Sequence, residues 1–518
     1  MTADPAHEPA ALAARAADTH VVVIGGGIGG LIAARECAKV GMRVTLLEET
    51  DAVGGAIRRA DLDGVVVDAG AESFATRGGH VRALVAELGL TDRIVAPQGG
   101  GAWLAGIPGV GAAPLPVGGI LGIPANPFQD DVRRVIGWSG AWRAYLDRVR
   151  PPLTIGHQPS LGKLVTSRMG AKVRDRLVAP VTTGVYSASP DDVDVDVAAP
   201  GLNAALTRVG SLSGAVEALR DAAQTAAKTP GAAVEGLSGG MSVLVDALVE
   251  DLLRLGAEVR TGVRVRSAEK TDAGWTVDAE IEPDAVADEP DAEADMLDPE
   301  ADVLDPEADE DADGSLSFAA DAVIVATPEA AARALLAHSV PALSAAKPSS
   351  SPEIEIVTLL LDAPALRAAP RGAGVLTVPG SHTAKALTHS TVKWDWVRAA
   401  AGDREMVRVS FGAQGEPAAT AGMTDDEAAE LALREAAALF GVPLVPGALL
   451  AAHRARYVQS QPASIIGSGE RRAAARAAVQ AVPGLAAVGA WLAGTGLAQV
   501  IPDAKDEADR LRRTLLWE

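Results

Sequence analysis

Within Gly25–Gly30, five of the six residues are glycine, and this run constrains the fold more strongly than any other feature of the chain. Val21–Ile24, just before it, predicts a strand buried on both faces. Leu31–Val40 predicts a helix, and Arg43–Glu48 predicts a second strand. Strand, glycine turn, helix and strand in this order predict the βαβ unit of a dinucleotide-binding domain.

The glycine spacing fits the G-x-G-x-x-G pattern at Gly25, Gly27 and Gly30. The first glycine allows a tight turn, the second lets the backbone approach a pyrophosphate, and the third allows close packing of helix and strand. Ile28 and Gly29 complete the turn at the helix N-terminus, where free N–H groups and the helix dipole favour phosphate. We therefore predict that these five residues bind the diphosphate of a dinucleotide.

An acidic pair closes the second predicted strand. Glu48 lies 18 residues after Gly30, where a carboxylate can accept hydrogen bonds from ribose hydroxyls, and Glu49 follows it. Because strand, helix, glycine spacing and acid all agree, we predict a dinucleotide site rather than a glycine turn that only packs.

The chain has 518 residues and a formal net charge of −22, but the acidic excess is local. Residues 280–313 contain 17 acidic residues and no Lys or Arg, so the remainder carries only about −5. This segment cannot bury a core, and we predict a disordered surface insertion at 280–315. A chain this acidic is not expected to bind nucleic acid or an anionic membrane.

Cysteine, histidine and hydropathy patterns exclude further kinds of site. Cys37 is the only cysteine, so neither an intramolecular disulfide nor a cysteine-cluster metal site is available. The eight histidines form no pair at metal-ligand spacing, and no metal is expected. We find neither a secretory signal nor an apolar run long enough to span a bilayer, and we expect a cytoplasmic protein.

A second glycine pair bears on which dinucleotide is bound. Asp51–Arg58 resembles a segment of FAD enzymes of the amine oxidase superfamily, in which the backbone passes close to the flavin and the pyrophosphate. Val67–Ser73 resembles the next strand and turn of those enzymes. NAD dehydrogenases generally lack both segments, so the resemblance implies FAD. The residues implied to contact it here are Gly54, Gly55, Ala56, Gly70 and Ala71.

The end of the chain also resembles these flavoproteins. Val488–Leu497 precedes a helix whose N-terminus, in that superfamily, lies near N1 and the C2 carbonyl of the flavin. The helix dipole would stabilise an anionic reduced flavin there; the alternative is an ordinary strand–turn–helix. A family valine that contacts FAD through its backbone corresponds to Val265, or to Val263 if the register shifts by two. The implied contacts also include Gly494, Gly496, Leu497 and Thr327.

Further segments resemble the protoporphyrinogen and coproporphyrinogen oxidases of that superfamily. The resemblance covers roughly residues 20 to 510 apart from the acidic segment, and its Gly-Val-Tyr piece is the most specific part. The matching segments are Gly70–Arg77, Ser160–Lys163, Arg168–Gly170, Gly184–Pro190, Ser390–Trp394 and Arg408–Gly412.

This resemblance implies both a fold and a reaction. The fold is α/β, with a Rossmann-like FAD-binding domain, a mixed-sheet substrate domain and a helical lobe. The reaction is three rounds of hydride transfer from a porphyrinogen to flavin N5, with O2 reoxidising the flavin and leaving as hydrogen peroxide. We expect coproporphyrinogen III, by analogy with soluble actinobacterial members, and hand-off of the product to other heme-pathway enzymes. The alternatives are protoporphyrinogen IX, another superfamily substrate such as an amine or a carotenoid, and a tetrapyrrole binder without turnover.

The order of these segments implies discontinuous domains. FAD-binding segments are expected at 18–80, 206–279, 316–345 and 451–518, around a helical lobe at 81–205 and a substrate sheet at 346–450.

Two local predictions concern the helical lobe. Gly99–Pro127 is rich in Gly and Pro and is predicted to be a loop or lid. Trp138 and Trp142, one helical turn apart, are predicted to pack internally or to line the substrate slot rather than to touch a membrane.

A flat substrate with a carboxylate rim requires an apolar slot with Arg or Lys at its mouth. Arg58, Arg77 and Lys393 are candidates because they adjoin matched segments, and Trp394 follows Lys393. For each cation the alternative is an ordinary solvated side chain. Some family members have an Arg where this chain has Gly99–Gly101, so one propionate anchor of the family is missing. No catalytic acid or base is assigned, since the flavin carries the chemistry.

Overall fold

A computed structural model describes residues 9–98, 100–149, 158–226, 234–281, 309–310, 315–345, 351–415, 417–458 and 464–517. The helices are α1 (Pro9–Asp18), α2 (Ile28–Ala38), α3 (His80–Glu87), α4 (Asp130–Tyr145), α5 (Leu161–Met169), α6 (Ala171–Val173), α7 (Ala179–Tyr186), α8 (Val195–Ala198), α9 (Leu202–Val209), α10 (Leu212–Ala226), α11 (Ser242–Arg254), α12 (Glu329–Leu335), α13 (Pro341–Ala345), α14 (Ser390–Lys393), α15 (Asp395–Ala401), α16 (Asp425–Phe440), α17 (Ser468–Gln480), α18 (Ala490–Ala493) and α19 (Leu497–Trp517).

The strands are β1 (His20–Ile24), β2 (Arg43–Leu47), β3 (Arg59–Leu62), β4 (Val65–Asp68), β5 (Phe74–Ala75), β6 (Ile94–Val95), β7 (Ala102–Ile107), β8 (Gly111–Pro114), β9 (Gly119–Ile120), β10 (Ile123–Pro124), β11 (Val234–Leu237), β12 (Glu258–Arg260), β13 (Val263–Lys270), β14 (Trp275–Ile281), β15 (Asp309–Glu310), β16 (Ser315–Ala320), β17 (Ala322–Val325), β18 (Glu353–Leu361), β19 (Gly374–Thr377), β20 (Ala386–His389), β21 (Glu405–Phe411), β22 (Leu449–Val458) and β23 (Leu485–Ala487).

A five-stranded parallel sheet forms the nucleotide-binding part, in the strand order β12-β2-β1-β17-β23. β1 is buried along its whole length, as its β-branched sequence predicts for a central strand. α2 packs against α11 and α19, where Leu31, Leu248 and Leu511 are fully buried. The five strands come from the early, middle and late parts of the sequence.

The acidic segment separates β14 and β16, two strands of a four-stranded antiparallel sheet of order β13-β14-β16-β15. β14 pairs with β16 as far as Glu280 and Ser315, so the segment connects two neighbouring strands. The predicted disorder concerns mainly residues 282–308 and 311–314, which lie outside the described residues.

A seven-stranded sheet of order β22-β18-β21-β20-β19-β7-β8 forms the substrate domain. It is mixed, because β7 and β19 run parallel while the other pairs are antiparallel. α16 packs against this sheet through buried Ala432 and Leu439. The helix begins with a capping box between Thr424 and Glu427, which the sequence pattern identifies by its spacing.

The loop or lid predicted at Gly99–Pro127 is wrong for its central part. Ala102–Ile107 and Gly111–Pro114 form β7 and β8, at one edge of the substrate sheet. Gly106, with φ +75°, lies at a register shift between these strands, so the glycine content serves a β-bulge rather than a loop. β7, β8 and β22 extend the sheet beyond the predicted range 346–450.

α4 to α10 form the helical lobe, which has its own buried apolar cluster. The prediction for two of its tryptophans is wrong, because Trp138 and Trp142 are 60% and 57% exposed. Gly137, with φ +69°, interrupts α4 and separates buried Val135 from exposed Trp138. Trp142 instead contacts Phe128 edge-on, with ring centroids 5.0 Å apart.

These three parts confirm the predicted fold class, a Rossmann-like α/β domain with a mixed-sheet domain and a helical lobe. Among the described helices, none combines the length and apolar composition that a bilayer crossing requires.

Candidate cofactor and substrate site

The first glycine turn has the backbone geometry that its spacing predicts. Gly25 has φ +107°, and a Cβ there would lie 3.0 Å from the backbone of Ala326. A Cβ at Gly30 would overlap the carbonyl oxygen of Gly25, so helix α2 approaches β1 as closely as its backbone allows. Both positions therefore require glycine for steric reasons.

The two glycine segments meet backbone to backbone. Gly54 N–H donates to the carbonyl of Gly26 at 2.8 Å, and a Cβ at Gly55 would lie 3.3 Å from Cα of Gly27. Gly27 itself has open space on its Cβ side, with no protein atom of the described residues within 4 Å. An open backbone face beside a helix N-terminus fits the approach of a pyrophosphate.

Glu48 directly follows β2, and its carboxylate already accepts hydrogen bonds from the protein. Oε2 accepts from Gly26 N–H at 2.7 Å, and Oε1 accepts from the N–H and hydroxyl of Thr50 at 3.1 and 2.8 Å. A carboxylate offers about four acceptor positions, so one remains for a ribose hydroxyl. Glu49, in contrast, forms a surface ion pair with Arg264.

The two candidate valines differ in their relation to Glu48. Val263 N–H donates to the Glu48 carbonyl at 2.9 Å, so this valine lies directly beside the acid. Val265 lies two residues further along β13 and packs against the core cluster of the neighbouring sheet.

The turn after β4 joins the same region. Ala71 N–H donates to the carbonyl of Ala56 at 3.1 Å, and a Cβ at Gly70 would overlap that carbonyl. The same Cβ would lie 2.8 Å from the Tyr457 hydroxyl, which has no hydrogen-bond partner among the described residues.

The glycine turn near the end of the chain completes this region. A Cβ at Gly29 would lie 3.3 Å from Gly489, so the two ends of the sequence meet there. Gly494 and Gly496 have φ of +102° and +105°, and Leu497 begins α19. We call the segments Gly25–Gly30, Gly54–Ala56, Gly70–Ala71 and Gly489–Leu497, with Glu48 and Thr327, the cofactor cradle.

Unsatisfied groups in this cradle fit a bound dinucleotide. Thr327 follows β17 next to the backbone that Gly25 contacts, and its hydroxyl is buried with no partner in the described part of the chain. Gly496, like Gly27, has open space on its Cβ side. Buried polar atoms normally have partners, so an unpaired hydroxyl next to the Gly25 turn is consistent with a polar ligand.

The four predicted substrate residues occupy different surroundings. Arg58 is exposed and donates to the Gly55 carbonyl at 3.1 Å, which places it beside the cradle. Arg77 is exposed on the turn before α3. Lys393 is paired with an acid, and Trp394 is only 1% exposed, within an apolar cluster under β3 and β4.

Glu72 is the acid that pairs with Lys393, and sequence reasoning assigned it no role. Its other oxygen accepts from Arg408 at 2.8 Å, and Arg408 also donates to the carbonyls of Ala69 and Gly70. Burial alone would raise the pKa of Glu72, but Arg408 and Lys393 together lower it to about 2. We call Glu72, Lys393 and Arg408 the Glu72 junction; it links the cradle to the substrate sheet.

Asp68, at the end of β4, lies beside the Glu72 junction and was also missed. Burial raises its pKa to about 7, although Oδ1 accepts from Met241 N–H at 2.8 Å. Both acids occur in segments that the family resemblance includes, but residue type and spacing alone did not single them out.

The parallel sheet, the glycine turns of the cofactor cradle and Glu48 at the end of the second strand are the features of a dinucleotide-dependent oxidoreductase. Comparison with known proteins gives the family: the chain belongs to the flavin-containing amine oxidoreductases, whose model matches residues 28–512. The family's flavin and the dinucleotide cradle together make the cofactor FAD, as predicted.

Relatives of this chain cover nearly its whole length. The coproporphyrinogen III oxidases of Mycobacterium bovis and Mycobacterium tuberculosis are 30% identical over 483 residues, which is 92% of this chain and 93% of theirs. The coproporphyrinogen III oxidase of Bacillus subtilis is 25% identical over 499 residues, 94% of this chain and 96% of its own. A crystal structure from Exiguobacterium sp. 255-15, assigned as a protoporphyrinogen oxidase, is 21% identical, covers 96% of this chain and 99% of its own, and has a TM-score of 0.77.

Proposed function

We propose that this protein oxidises coproporphyrinogen III to coproporphyrin III with O2, in three two-electron steps that each release hydrogen peroxide. The observation that carries the proposal is the 30% identity to coproporphyrinogen III oxidases over 92% of the chain. The cofactor cradle supports it, because it supplies the flavin site that such chemistry requires. Each step removes a hydride from a bridging carbon and a proton from a pyrrole nitrogen.

Bound FAD would accept the hydride and pass its two electrons to O2. The chain's own residues would hold the flavin and orient the substrate. In this proposal Glu48 accepts from the ribose, the backbone at Gly27 and Gly55 faces the pyrophosphate, and Val263 rather than Val265 contacts the adenine side. Arg58 is better placed to neutralise the pyrophosphate than to bind substrate, since it donates to Gly55.

The Glu72 junction would fix the turn between cofactor and substrate. Arg408 holds the carbonyls of Ala69 and Gly70, and Glu72 holds Arg408. Lys393 already donates to Glu72, so it would position this turn rather than bind a carboxylate directly. We further propose a cytoplasmic location and hand-off of the porphyrin to later heme-pathway enzymes.

Protoporphyrinogen IX is the second candidate substrate. The chloroplastic protoporphyrinogen oxidase of Nicotiana tabacum is 25% identical over 273 residues, about half of each chain, so the similarity is weaker and shorter. Amine or carotenoid oxidation and simple tetrapyrrole binding have no comparable support.

Anaerobic mixing tests the proposed function. The purified protein, loaded with FAD, is mixed without oxygen with coproporphyrinogen III, protoporphyrinogen IX or putrescine, and flavin absorbance is followed. We expect rapid bleaching by coproporphyrinogen III, slower bleaching by protoporphyrinogen IX and none by putrescine. Admitting air should restore the flavin colour and release peroxide. A flavin that no porphyrinogen bleaches would contradict the proposal.

A further inference from the structure

A lysine outside all the predicted sites joins the helical lobe to the substrate sheet. Lys385 precedes β20, and its Nζ donates to Ser187 Oγ, just beyond the C-terminal end of α7, at 2.6 Å. Its backbone is fixed by the sheet, because its N–H donates to the Ser410 carbonyl at 2.9 Å and its carbonyl accepts from the Thr377 hydroxyl at 3.1 Å. The ammonium group is therefore held between two parts of the molecule.

Within the described residues, no acidic side chain forms an ion pair with Lys385. Glu435 on α16 accepts instead from the Ala384 N–H, and it lies 3.6 Å from Nδ1 of His382. Burial lowers the pKa of Lys385 to about 8, yet part of the residue remains accessible. The ammonium carries three N–H donors, and among the described residues its acceptor is the Ser187 hydroxyl, so it has donors left for a ligand.

Ser187 has an unusual backbone conformation at this point. It is buried, and its φ of +54° is uncommon for a residue other than glycine. Such conformations persist only where the surroundings enforce them, and they concentrate at ligand sites. Gln414, whose N–H donates to the Ser187 carbonyl at 2.9 Å, has its side-chain oxygen buried without a partner among the described residues.

The position of Lys385 relative to the Glu72 junction suits an extended ligand. Ser410, which Lys385 contacts, lies two residues along β21 from Arg408, a distance of about 7 Å in a strand. Arg408 in turn holds the cradle at Gly70. Lys385 and the Glu72 junction are therefore linked through neighbouring positions of one strand.

We propose that Lys385 and Ser187 form a carboxylate-binding subsite, which receives one rim carboxylate of the porphyrinogen. This inference rests on the function proposed above. An ammonium and a hydroxyl side by side can both donate to one carboxylate, and charge-assisted bonds of this kind are the strong ones. The subsite would supply an anchor that Lys393 does not, because Lys393 already donates to Glu72.

A structural role is the competing explanation, because a lysine near the C-terminal end of α7 also complements the helix dipole. The test compares Lys385→Met, Lys385→Arg and, as matched control, Lys163→Met, which removes an exposed lysine of α5. For each protein we would measure FAD content, thermal midpoint, KM and kcat with both porphyrinogens, and the Kd for coproporphyrin III by fluorescence.

We expect Lys385→Met to raise KM and Kd about tenfold, with kcat and FAD content within twofold of the original protein, the loss of one charge-assisted contact. Lys385→Arg should recover part of the affinity, and Lys163→Met should change nothing. An equal loss with both substrates places the subsite at a carboxylate they share; a loss confined to coproporphyrinogen places it at one that protoporphyrinogen lacks.

Unchanged KM and Kd in Lys385→Met, whether or not its thermal midpoint falls, would overturn the subsite. The proposed function fails separately, if the unaltered protein oxidises neither porphyrinogen. In that case the Kd comparison with coproporphyrin III still decides whether Lys385 binds a carboxylate.

Discussion

The cofactor cradle and the Glu72 junction meet at Gly70, yet different forces hold them together. In the cradle, backbone segments pack directly against one another, and at Gly30 and Gly70 a Cβ would overlap a neighbouring carbonyl. The junction is held by ion pairs, in which Lys393 and Arg408 share one carboxylate, that of Glu72. Steric requirements leave a pattern in local sequence, whereas a charge pair can be formed by residues from anywhere in the chain. The two regions should therefore respond to substitution in different ways.

The largest expected effect is at the acid of the junction. Glu72→Ala would leave Lys393 and Arg408 without their shared partner, and breaking a buried pair in this way costs about 3–4 kcal/mol. Lys393→Met should cost clearly less, because Glu72 keeps Arg408. Denaturant midpoints of the two variants measure this asymmetry, and equal losses would show that the junction does not depend on Glu72.

A steric change in the cradle comes next. Gly30→Ala places a methyl group against the Gly25 carbonyl, where neither backbone can move far, so we expect a loss of about 2–3 kcal/mol from overpacking. The thermal midpoint of the FAD-free protein measures it. A variant as stable as the original would mean that α2 can move away from β1.

The third prediction concerns pH and Asp68. Its pKa is raised to about 7 by burial, so the folded protein keeps this proton between about pH 4 and 7 while the unfolded chain loses it. Stability from this group is therefore lost as pH rises through that window. We expect the free energy of unfolding to fall by on the order of 2 kcal/mol across this window, about half of what a full three-unit pKa shift would give.

Asp68→Asn should flatten that decline, because the amide cannot ionise. The comparison is made by measuring unfolding free energy at several pH values from 4 to 8 for both proteins. Identical slopes would assign the pH dependence to other groups.

A fourth prediction separates fold from binding within the cradle. Gly27 has open space where Gly30 has none, so Gly27→Ala should leave the FAD-free protein as stable as before. The added methyl group would intrude on the pyrophosphate and weaken FAD binding at least tenfold, about 1.4 kcal/mol. The test is to titrate both proteins with FAD and to measure the thermal midpoints of their FAD-free forms. An unchanged FAD affinity would show that the pyrophosphate does not lie against Gly27.

The smallest effect is expected at a surface cation that has no ion-pair partner among the described residues. Arg77 is exposed, so Arg77→Met should change stability by less than about 0.5 kcal/mol. The difference in stability loss between Arg77→Met and Lys393→Met measures how much the ion pair with Glu72 contributes to the stability of the protein. A loss as large as that of Lys393→Met would place Arg77 in a network of its own.

The predictability of the two regions follows the same division. Gly25, Gly27, Gly30 and Glu48 could be predicted because their spacing along one βαβ unit is itself the requirement. Lys393 was identified only as a cation, since its partner Glu72 lies 321 residues away and nothing local indicates the pairing.

Strand β7 shows the same limit in the fold. Its glycines indicated a loop, and pairing with β19, from a distant part of the sequence, made it a strand. Trp138 shows a further limit of prediction from sequence. Its helical spacing placed it on the same helix face as Trp142, but Gly137 interrupts that helix.

The meeting of Gly29 with Gly489 has a consequence for how the protein is made. The βαβ unit that contains Gly29 is synthesised early, whereas β23 and the glycine turn at Gly489–Leu497 are synthesised much later in the same chain. FAD is therefore acquired only after β23 and this turn have been made, and until then the edge of β17 that pairs with β23 is exposed. A chain truncated before β23 should therefore be an aggregating, colourless product rather than a weaker enzyme.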